Sequence, residues 1–292
     1  MNELLIFANR HAGALSRLGG PAPFERYARA AGFEPRIVYT RNSAHLRRLL
    51  REEVIGKHSR VAVAGGDGTM HSVAQALAGT ETALGVLPQG TANNFATALR
   101  LPMDLPSAFR VIAENQVQPV DLGQIGDEYF IEAAGVGIFA DMLAITGASH
   151  RLRNIVRASW AFLKMMLTRH SRRVHLLIDG EPFVEEALSV TVANSFCVGY
   201  NLPIAPHARL TDGKLDLVVI EALDRHEWLP YYRAIRAQVH PELPKIHYTR
   251  AREVRINARR PVLVHVDDRA WRRTPVTIRV VPKALNVLVD RL

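Results

Sequence analysis

The sequence predicts an α/β protein in two parts, a mostly parallel sheet covered by helices followed by a hairpin-rich β region. Three observations carry that prediction. Short apolar runs alternate with helix-patterned segments up to about residue 120. Two of those runs end directly in glycine turns, at 65–69 and 90–94. Beyond Val120 the helix patterning gives way to short β-like pieces separated by Gly, Asp or Pro. Alternating strands and helices make a parallel sheet with both faces covered; short strands with turn residues between them make hairpins.

Taken in order, Leu4 to Ala8 (LLIFA) reads as a first buried strand, leading into the polar turn Asn9-Arg10-His11-Ala12-Gly13. Residues 23–31 look helical, Ile37 to Thr40 reads as a second strand, and a helix over 43–53 follows with Ser43 as its expected N-cap. Val61-Ala62-Val63-Ala64 then ends in Gly65-Gly66-Asp67-Gly68-Thr69. Met70, Val73, Ala74 and Leu77 recur at helical spacing after it. Leu84 to Leu87 is the next strand, and Gly90-Thr91-Ala92-Asn93-Asn94-Phe95 opens another helix. Past Asp121-Leu122-Gly123 the expected strands are 128–134, 174–179, 187–194, 214–221, 252–257, 262–266 and 276–281. Gly180-Glu181-Pro182 suits a hairpin with a longer loop.

At 292 residues the chain suits about two domains, and 48% hydrophobic with 22% charged residues describes an ordinary globular composition. The formal charge is +9, and of 37 basic residues only five are Lys. An excess of Arg suits phosphate pairing, so nucleotide phosphates or anionic lipid are expected partners, with nucleic acid a distant third. The single cysteine, Cys197, excludes an internal disulfide and fits a reducing compartment. The opening MNELLIFANR lacks the basic lead and apolar length of a signal peptide, and no run approaches the ~18 apolar residues of a membrane span. A cytoplasmic protein, soluble or membrane-surface-bound, is expected. Two amphipathic segments fit such a surface. Leu152 to Arg173 mixes Trp160 and aliphatic residues with Arg and Lys164, and Glu227 to Val239 carries Trp228, Leu229, Tyr231 and Tyr232 beside Arg233 and Arg236.

The glycine turn at 65–69 is the stretch with chemistry in it. A strand running through three glycines into a helix presents main-chain N–H groups at the positive helix end, where phosphate binds. Asp67 would repel a bare phosphate, so its place among those donors suggests a divalent cation or a hydroxyl between them. Turns at 9–13, 65–69 and 90–94 all follow strands, and ligands of such sheets bind beyond the carboxyl ends of the strands.

Gly65-Gly66-Asp67-Gly68-Thr69, then Gly90-Thr91-Ala92-Asn93-Asn94, then Thr211-Asp212-Gly213-Lys214-Leu215-Asp216, with a closing V-P-x-A-L-x-V at 281–287, stand in that order. That succession resembles the diacylglycerol kinase catalytic family, the bacterial lipid kinases similar also to sphingosine and ceramide kinases, over nearly the whole chain from Asn9 to Val289. The resemblance implies an NAD kinase/diacylglycerol kinase-like α/β fold: a Rossmann-like N-terminal lobe over 1–120 and a β-sandwich lobe over 121–279, forming a cleft, with about 280–292 returning to the first lobe. It implies an ATP- and Mg2+-dependent kinase acting on the hydroxyl of a diacylglycerol-, sphingoid- or phosphatidylglycerol-like lipid at an anionic membrane surface. The acceptor itself is read from no motif, and a homodimer is compatible with the family.

Carried over residue by residue, the nucleotide site falls on Asn9, Arg10, Thr40, Gly65, Gly66, Asp67, Gly68, Thr69 and Thr91. A structural metal falls on Asp212 with the carbonyls of Arg209 and Lys214. Asp121 matches a family acid facing the cleft, and Asp267 is the expected general base, with Asp268 next. Three positions depart from the family pattern: Ser72 where an acid is common, Asn94 in place of Asp, and Arg269 closing Asp267-Asp268-Arg269 where the family has D-G-E. A guanidinium cannot act as a base, although it could pair with a phosphate or an acidic headgroup. The other D-G-E, Asp179-Gly180-Glu181, is expected to be only a hairpin turn. Two rival readings are a catalytically weak nucleotide- and lipid-binding sensor, suggested by the three departures, and an NAD kinase, suggested by GGDGT.

Overall fold

Leu4, Leu5, Ile6, Phe7 and Ala8 are each at most 2% exposed, which a strand achieves only when both sheet faces are covered. In a computed structural model that describes residues 2–9, 21–146, 171–199 and 201–290, these residues lie in β1 (Asn2–Asn9). The chain divides into two compact units. The first runs up to Leu122 and includes Leu210–Asp212 and the return from Val281 onward; the second is Gly123–Arg209 with Gly213–Val280.

In the first unit β1 pairs in parallel with β2 (Phe33–Thr40) and with β3 (Arg60–Gly65), and β3 with β4 (Ala83–Pro88). Helices α1 (Ala22–Ala30), α2 (Ser43–Leu49), α3 (Asp67–Leu77), α4 (Asn94–Ala98) and α5 (Leu105–Glu114) alternate with them. Phe24 and Ala28 of α1 and Phe109 and Ile112 of α5 join Leu4, Ile6, Ala62 and Leu87 in one core cluster. Burial of each such Phe contributes about 1.5–3 kcal/mol. The cap of α2 differs from the expectation: Asn42 accepts from the His45 N–H at 2.9 Å, so Asn42 and not Ser43 closes that end. A cap of this kind is worth about 1 kcal/mol. The helix expected over 43–53 also changes pitch, continuing as a π-helical turn over Leu50–Val54.

The second unit is antiparallel. Its strands are β6 (Glu128–Phe130), β7 (Ala133–Gly137), β8 (Arg172–Ile178), β9 (Glu181–Ala193), β10 (Leu215–Glu221), β11 (Ile246–Ala251), β12 (Glu253–Ala258), β13 (Leu263–Val266) and β14 (Arg269–Arg273). They follow the order β14-β13-β7-β9-β8-β12, with β10 between β9 and β11. Two strands run through both units. β5 (Gln116–Ile125) ends by pairing with β6. β15 (Val276–Val289) pairs with β12 through Val276–Arg279 and, further along, in parallel with β4 at Val287. One core cluster of this unit contains Val174, Leu176, Val190, Val192, Leu217, Val219, Val254 and Ile256. The alternate residues Val218 and Ile220 meet Trp228, Tyr231 and Ile235 of a helix, Trp228–Arg236. The segment expected at 227–239 therefore turns its aromatic stripe onto the sheet and leaves Leu229 and Tyr232 exposed.

Asp179 and Gly180 both have positive φ, 47° and 95°, and join β8 directly to β9 with Ile178 opposite Glu181. Two central residues with positive φ form the tight hairpin turn that Asp-Gly favours, so the longer loop expected around 180–182 is replaced by strand. The Asp179 carboxylate caps the neighbouring corner, accepting from the Arg252 and Glu253 N–H groups. The basic segment expected as a helix over 152–173 lies outside the described residues except at its end, where Arg172 and Arg173 begin β8 rather than continuing a helix. A further helix, Ile138–Thr146, follows β7. Among the described residues no helix is long and apolar enough to cross a membrane.

Candidate functional site

The parallel register sets the carboxyl ends of the first unit's strands side by side: Asn9 opposite Thr40, Ala8 opposite Ala64, and Gly65 opposite Pro88. Beyond that edge β3 breaks at Gly66 and α3 begins at Asp67. The first N–H groups of a helix have no partner within it, so those of Asp67 and Gly68 stand at the positive end of α3. The second glycine turn is locked against the first. Gln89 donates its N–H to the Gly65 carbonyl at 2.9 Å. Asp67 Oδ1 accepts from the Phe95 N–H at 3.0 Å. A Cβ on Gly66 would stand 2.8 Å from the Gly90 Cα, and one on Gly90 would stand 2.5 Å from the Gly66 Cα. Main chain packs on main chain here, and only glycine permits it.

Inside the second turn Asn93 takes a left-handed conformation, φ 53°, and its Oδ1 accepts from the Gly90 N–H at 2.7 Å. The Asn93 carbonyl in turn accepts from the Thr97 hydroxyl at 2.9 Å. Asn is one of the few residues that adopt this conformation readily, which is the signal that identifies Asn93 as the residue shaping the turn. Thr91 is exposed at the tip, Gly68 is exposed, and Gly66, Asp67 and Thr69 are half-buried. Thr40 is buried and its hydroxyl donates to the Ala8 carbonyl at 3.4 Å. Two of the departures from the family pattern are absorbed locally: Ser72 bonds back to the Gly68 carbonyl at 3.0 Å, and Asn94 is fully buried. Asn9 closes β1; Arg10 lies outside the described residues.

Asp121 also belongs to the first unit, where main-chain groups hold it. It is 1% exposed, its N–H donates to the Leu210 carbonyl at 2.6 Å, and its Oδ1 accepts from the Lys283 N–H at 2.8 Å. Lys283 has φ 53°, and the next residue, Ala284, accepts from the Gly79 N–H at 2.7 Å. The closing V-P-x-A-L-x-V stretch therefore serves to dock the returning chain, with Asp121 as its anchor.

The late acidic pair lies in the second unit, in the two-residue turn between β13 and β14, where Val266 pairs with Arg269. Asp267 has φ 48°. Its Oδ1 accepts from the N–H groups of Glu132 (2.9 Å) and Ala133 (3.2 Å), and its Oδ2 from that of Ile131 (3.2 Å). The Asp267 N–H returns a bond to the Ala133 carbonyl at 2.8 Å. Three converging N–H groups fix this carboxylate in orientation. Asp268, the next residue, is half-buried. Arg269 forms an ion pair with Glu128 of β6, an acidic partner within its own sheet. Close by in sequence, His265 is fully buried with its ring 6.2 Å from that of Phe139. Loss of hydration pushes its pKa down to about 4, against the opposing pull of the Asp267 main chain and carboxylate.

Asp212 is half-buried in the turn before β10. Among the described residues the one cluster of three His, Cys, Asp or Glu side chains suited to a metal lies elsewhere, at Glu185, Glu221 and His247. A metal at Asp212 would therefore depend on main-chain carbonyls, as hard dications accept. Further along this segment Asp216 is 1% exposed and accepts from the Tyr248 hydroxyl at 2.6 Å, with the Arg250 guanidinium 3.6 Å away. Burial, then the Asp216 carboxylate, pushes the Tyr248 phenol well above its ordinary value.

Residues 3–125 match the family described as the diacylglycerol kinase catalytic domain, and residues 133–289 match the YegS C-terminal NAD kinase beta sandwich-like domain. A diacylglycerol kinase of Mycobacterium tuberculosis is 31% identical over 257 residues, covering 84% of this chain and 81% of that protein. The chain belongs to the diacylglycerol kinase catalytic-domain family. A diacylglycerol kinase of Bacillus subtilis is 28% identical over 243 residues, covering 81% of this chain and 80% of its own. A probable lipid kinase YegS-like protein of Pseudomonas putida is 32% identical over 200 residues, 66% of each chain. Family membership extends to the fold: a solved structure of a putative diacylglycerol kinase from Bacillus anthracis superposes with a TM-score of 0.79 at 22% identity, covering 99% of this chain and 97% of that one.

Proposed function

We propose that this member of the diacylglycerol kinase family is a lipid kinase that transfers the γ-phosphoryl group of ATP, with Mg2+, to a hydroxyl of a membrane lipid. The observation that carries the reading is the Asp67–Phe95 bond. It joins two glycine turns beside the N-terminus of α3 and sets a carboxylate among main-chain donors. Phosphoryl transfer asks mainly for positioning and charge neutralisation, and this arrangement supplies both from main-chain groups.

Gly65 to Thr69 with Thr91 cradle the phosphates in this reading, through the helix-start N–H groups and the Thr69 and Thr91 hydroxyls. Asn9 and Thr40 border the same sheet edge, and Arg10, next to Asn9 in sequence, is proposed to join them. The donor set suits a magnesium nucleotide, because a carboxylate set among N–H groups matches a complex carrying both charges; Asp67 is the residue that would hold the ion. When bound, Mg2+ neutralises charge on the phosphates. Asp267, oriented by three N–H groups, is the proposed proton acceptor for the lipid hydroxyl, with Asp268 the second candidate. Asp121 is assigned to anchoring the return strand. Asp212, with the Arg209 and Lys214 carbonyls, is the proposed structural metal site. The +9 charge supports work at an anionic membrane surface.

Calorimetric titration of the protein with ATP, with and without Mg2+, tests the cradle directly. Binding that strengthens with Mg2+ and loses that gain in Asp67→Asn is expected. Affinity for ATP unaffected by Mg2+ and by the substitution would remove Asp67 from the site.

A further inference from the structure

Away from the glycine turns, three metal-ligating side chains converge at the rim of the second unit's core. Val219 of β10 pairs with His247 of β11, and Glu221 pairs with Ala187 of β9 across a bulge. Glu221 lies two residues from Val219, and Glu185 two residues from Ala187, so strand alternation carries Glu185, Glu221 and His247 to one face. Val219 and Ala187 on that face belong to the core, and Phe183, packed against the same core, meets the His247 ring edge-on with centroids 5.0 Å apart. The triad thus sits where an apolar floor ends.

His247 Nε2 is 2.7 Å from Glu221 Oε1 and 3.8 Å from Glu185 Oε2. The three ligand atoms lie within 4.8 Å of one another. Ligands of a tetrahedral ion with bonds of about 2.0–2.1 Å stand about 3.3–3.4 Å apart, so the observed separations bracket the required ones. Both carboxylates are only 28% exposed, so a cation held between them would be partly screened from water. Two basic residues beside these strands are paired with other carboxylates: Lys245 with Glu227 at 2.6 Å, and Arg172, in register with Ala187, with Asp141 at 2.7 Å. Glu185 is further oriented through its other oxygen, which accepts from the Glu186 N–H at 2.8 Å.

We infer that Glu185, Glu221 and His247 form a site for a transition-metal dication of the zinc class, joining β9, β10 and β11. Two carboxylates and a neutral imidazole balance a dication, and the imidazole selects zinc-like ions over Mg2+. The site needs neither nucleotide nor lipid, so it stands or falls apart from the kinase reading.

The test uses the full chain, stripped with EDTA and equilibrated with micromolar Zn2+ at neutral pH without nucleotide, with bound metal measured by elemental analysis. Wild type is expected to hold one more equivalent of Zn2+ than His247→Ala and to keep it in millimolar Mg2+. Glu185→Gln, which preserves side-chain shape, is expected to lose the same equivalent while matching the wild-type circular dichroism. In wild type, Zn2+ should raise the melting temperature, and both variants should lose that rise. Equal zinc content in all three proteins, or displacement of the extra equivalent by Mg2+, would overturn the assignment and leave the triad an ion pair only.

Discussion

Asp67 and Phe95 lie 28 residues apart in sequence, and the carboxylate of the first accepts the main-chain N–H of the second at 3.0 Å. Through that bond one acidic residue ties together both glycine turns of the first unit and still stands at the start of a helix. Shape and charge at this position are therefore separable by substitution. Asp67→Ala leaves the Phe95 N–H without its acceptor and should cost about 1–3 kcal/mol of stability. Asp67→Asn keeps an acceptor oxygen and should melt close to wild type while losing the Mg2+ dependence of nucleotide binding. Urea unfolding beside calorimetry reads both effects.

The contact of Gly66 with Gly90 makes a second prediction. Alanine at either position places a methyl group within 2.8 Å or 2.5 Å of a main-chain carbon, too close to keep the turns together. Gly66→Ala and Gly90→Ala should each destabilise the protein by about 1–3 kcal/mol and weaken ATP binding more than tenfold. Thermal melts and ATP titrations check this, and unchanged affinity in both variants would separate the two turns from the nucleotide site.

Asp121 should prove a stability residue. Its carboxylate is buried and accepts the Lys283 N–H, so Asp121→Ala strands that group at a cost of about 1–3 kcal/mol. The urea midpoint should fall, with turnover per folded molecule preserved. A stable but inactive variant would return Asp121 to the catalytic residues.

Acidification should unfold the protein partly through His265. Burial holds its folded pKa near 4, below the ordinary 6.5, so the unfolded chain takes up the proton first as pH falls. The stability contributed by the neutral ring is complete above about pH 6.5 and is lost progressively toward pH 4. His265→Phe removes the titration and should flatten the fall of urea midpoint over that window, although His240, also buried and shifted downward by burial, titrates with the same sign.

Much of the first unit was legible because its signals are local. Small apolar runs ending in glycine mark buried strands and the turns that follow them, and both such turns fall at strand ends in register. The Asp67–Phe95 bond and the Asp121–Lys283 anchor were not legible, since each joins residues far apart whose pairing follows from the fold alone. In the second unit β14, Arg269-Ala270-Trp271-Arg272-Arg273, shows no apolar alternation; main-chain pairing with β13 makes it a strand. β5 hides a similar role behind Pro119 and polar residues. The helix Leu105–Glu114 carries local signals, a cap at Asp104 and Pro106 in its first turn, but no element is expected there from the alternation of apolar runs. Arg269 is a residue whose part only packing reveals, because its partner, Glu128, stands 141 positions away.

The most direct test of the central claim is transfer of γ-labelled phosphate from ATP into an organic extract of a lipid panel, in Mg2+, by wild type, Asp67→Asn and Asp267→Asn. The account predicts label in at least one hydroxyl-bearing lipid with wild type, none above background with Asp67→Asn, and a loss of about 10²- to 10⁴-fold with Asp267→Asn if that residue takes the proton. Label in NADP instead of a lipid, or bound ATP with no labelled lipid at all, would contradict it.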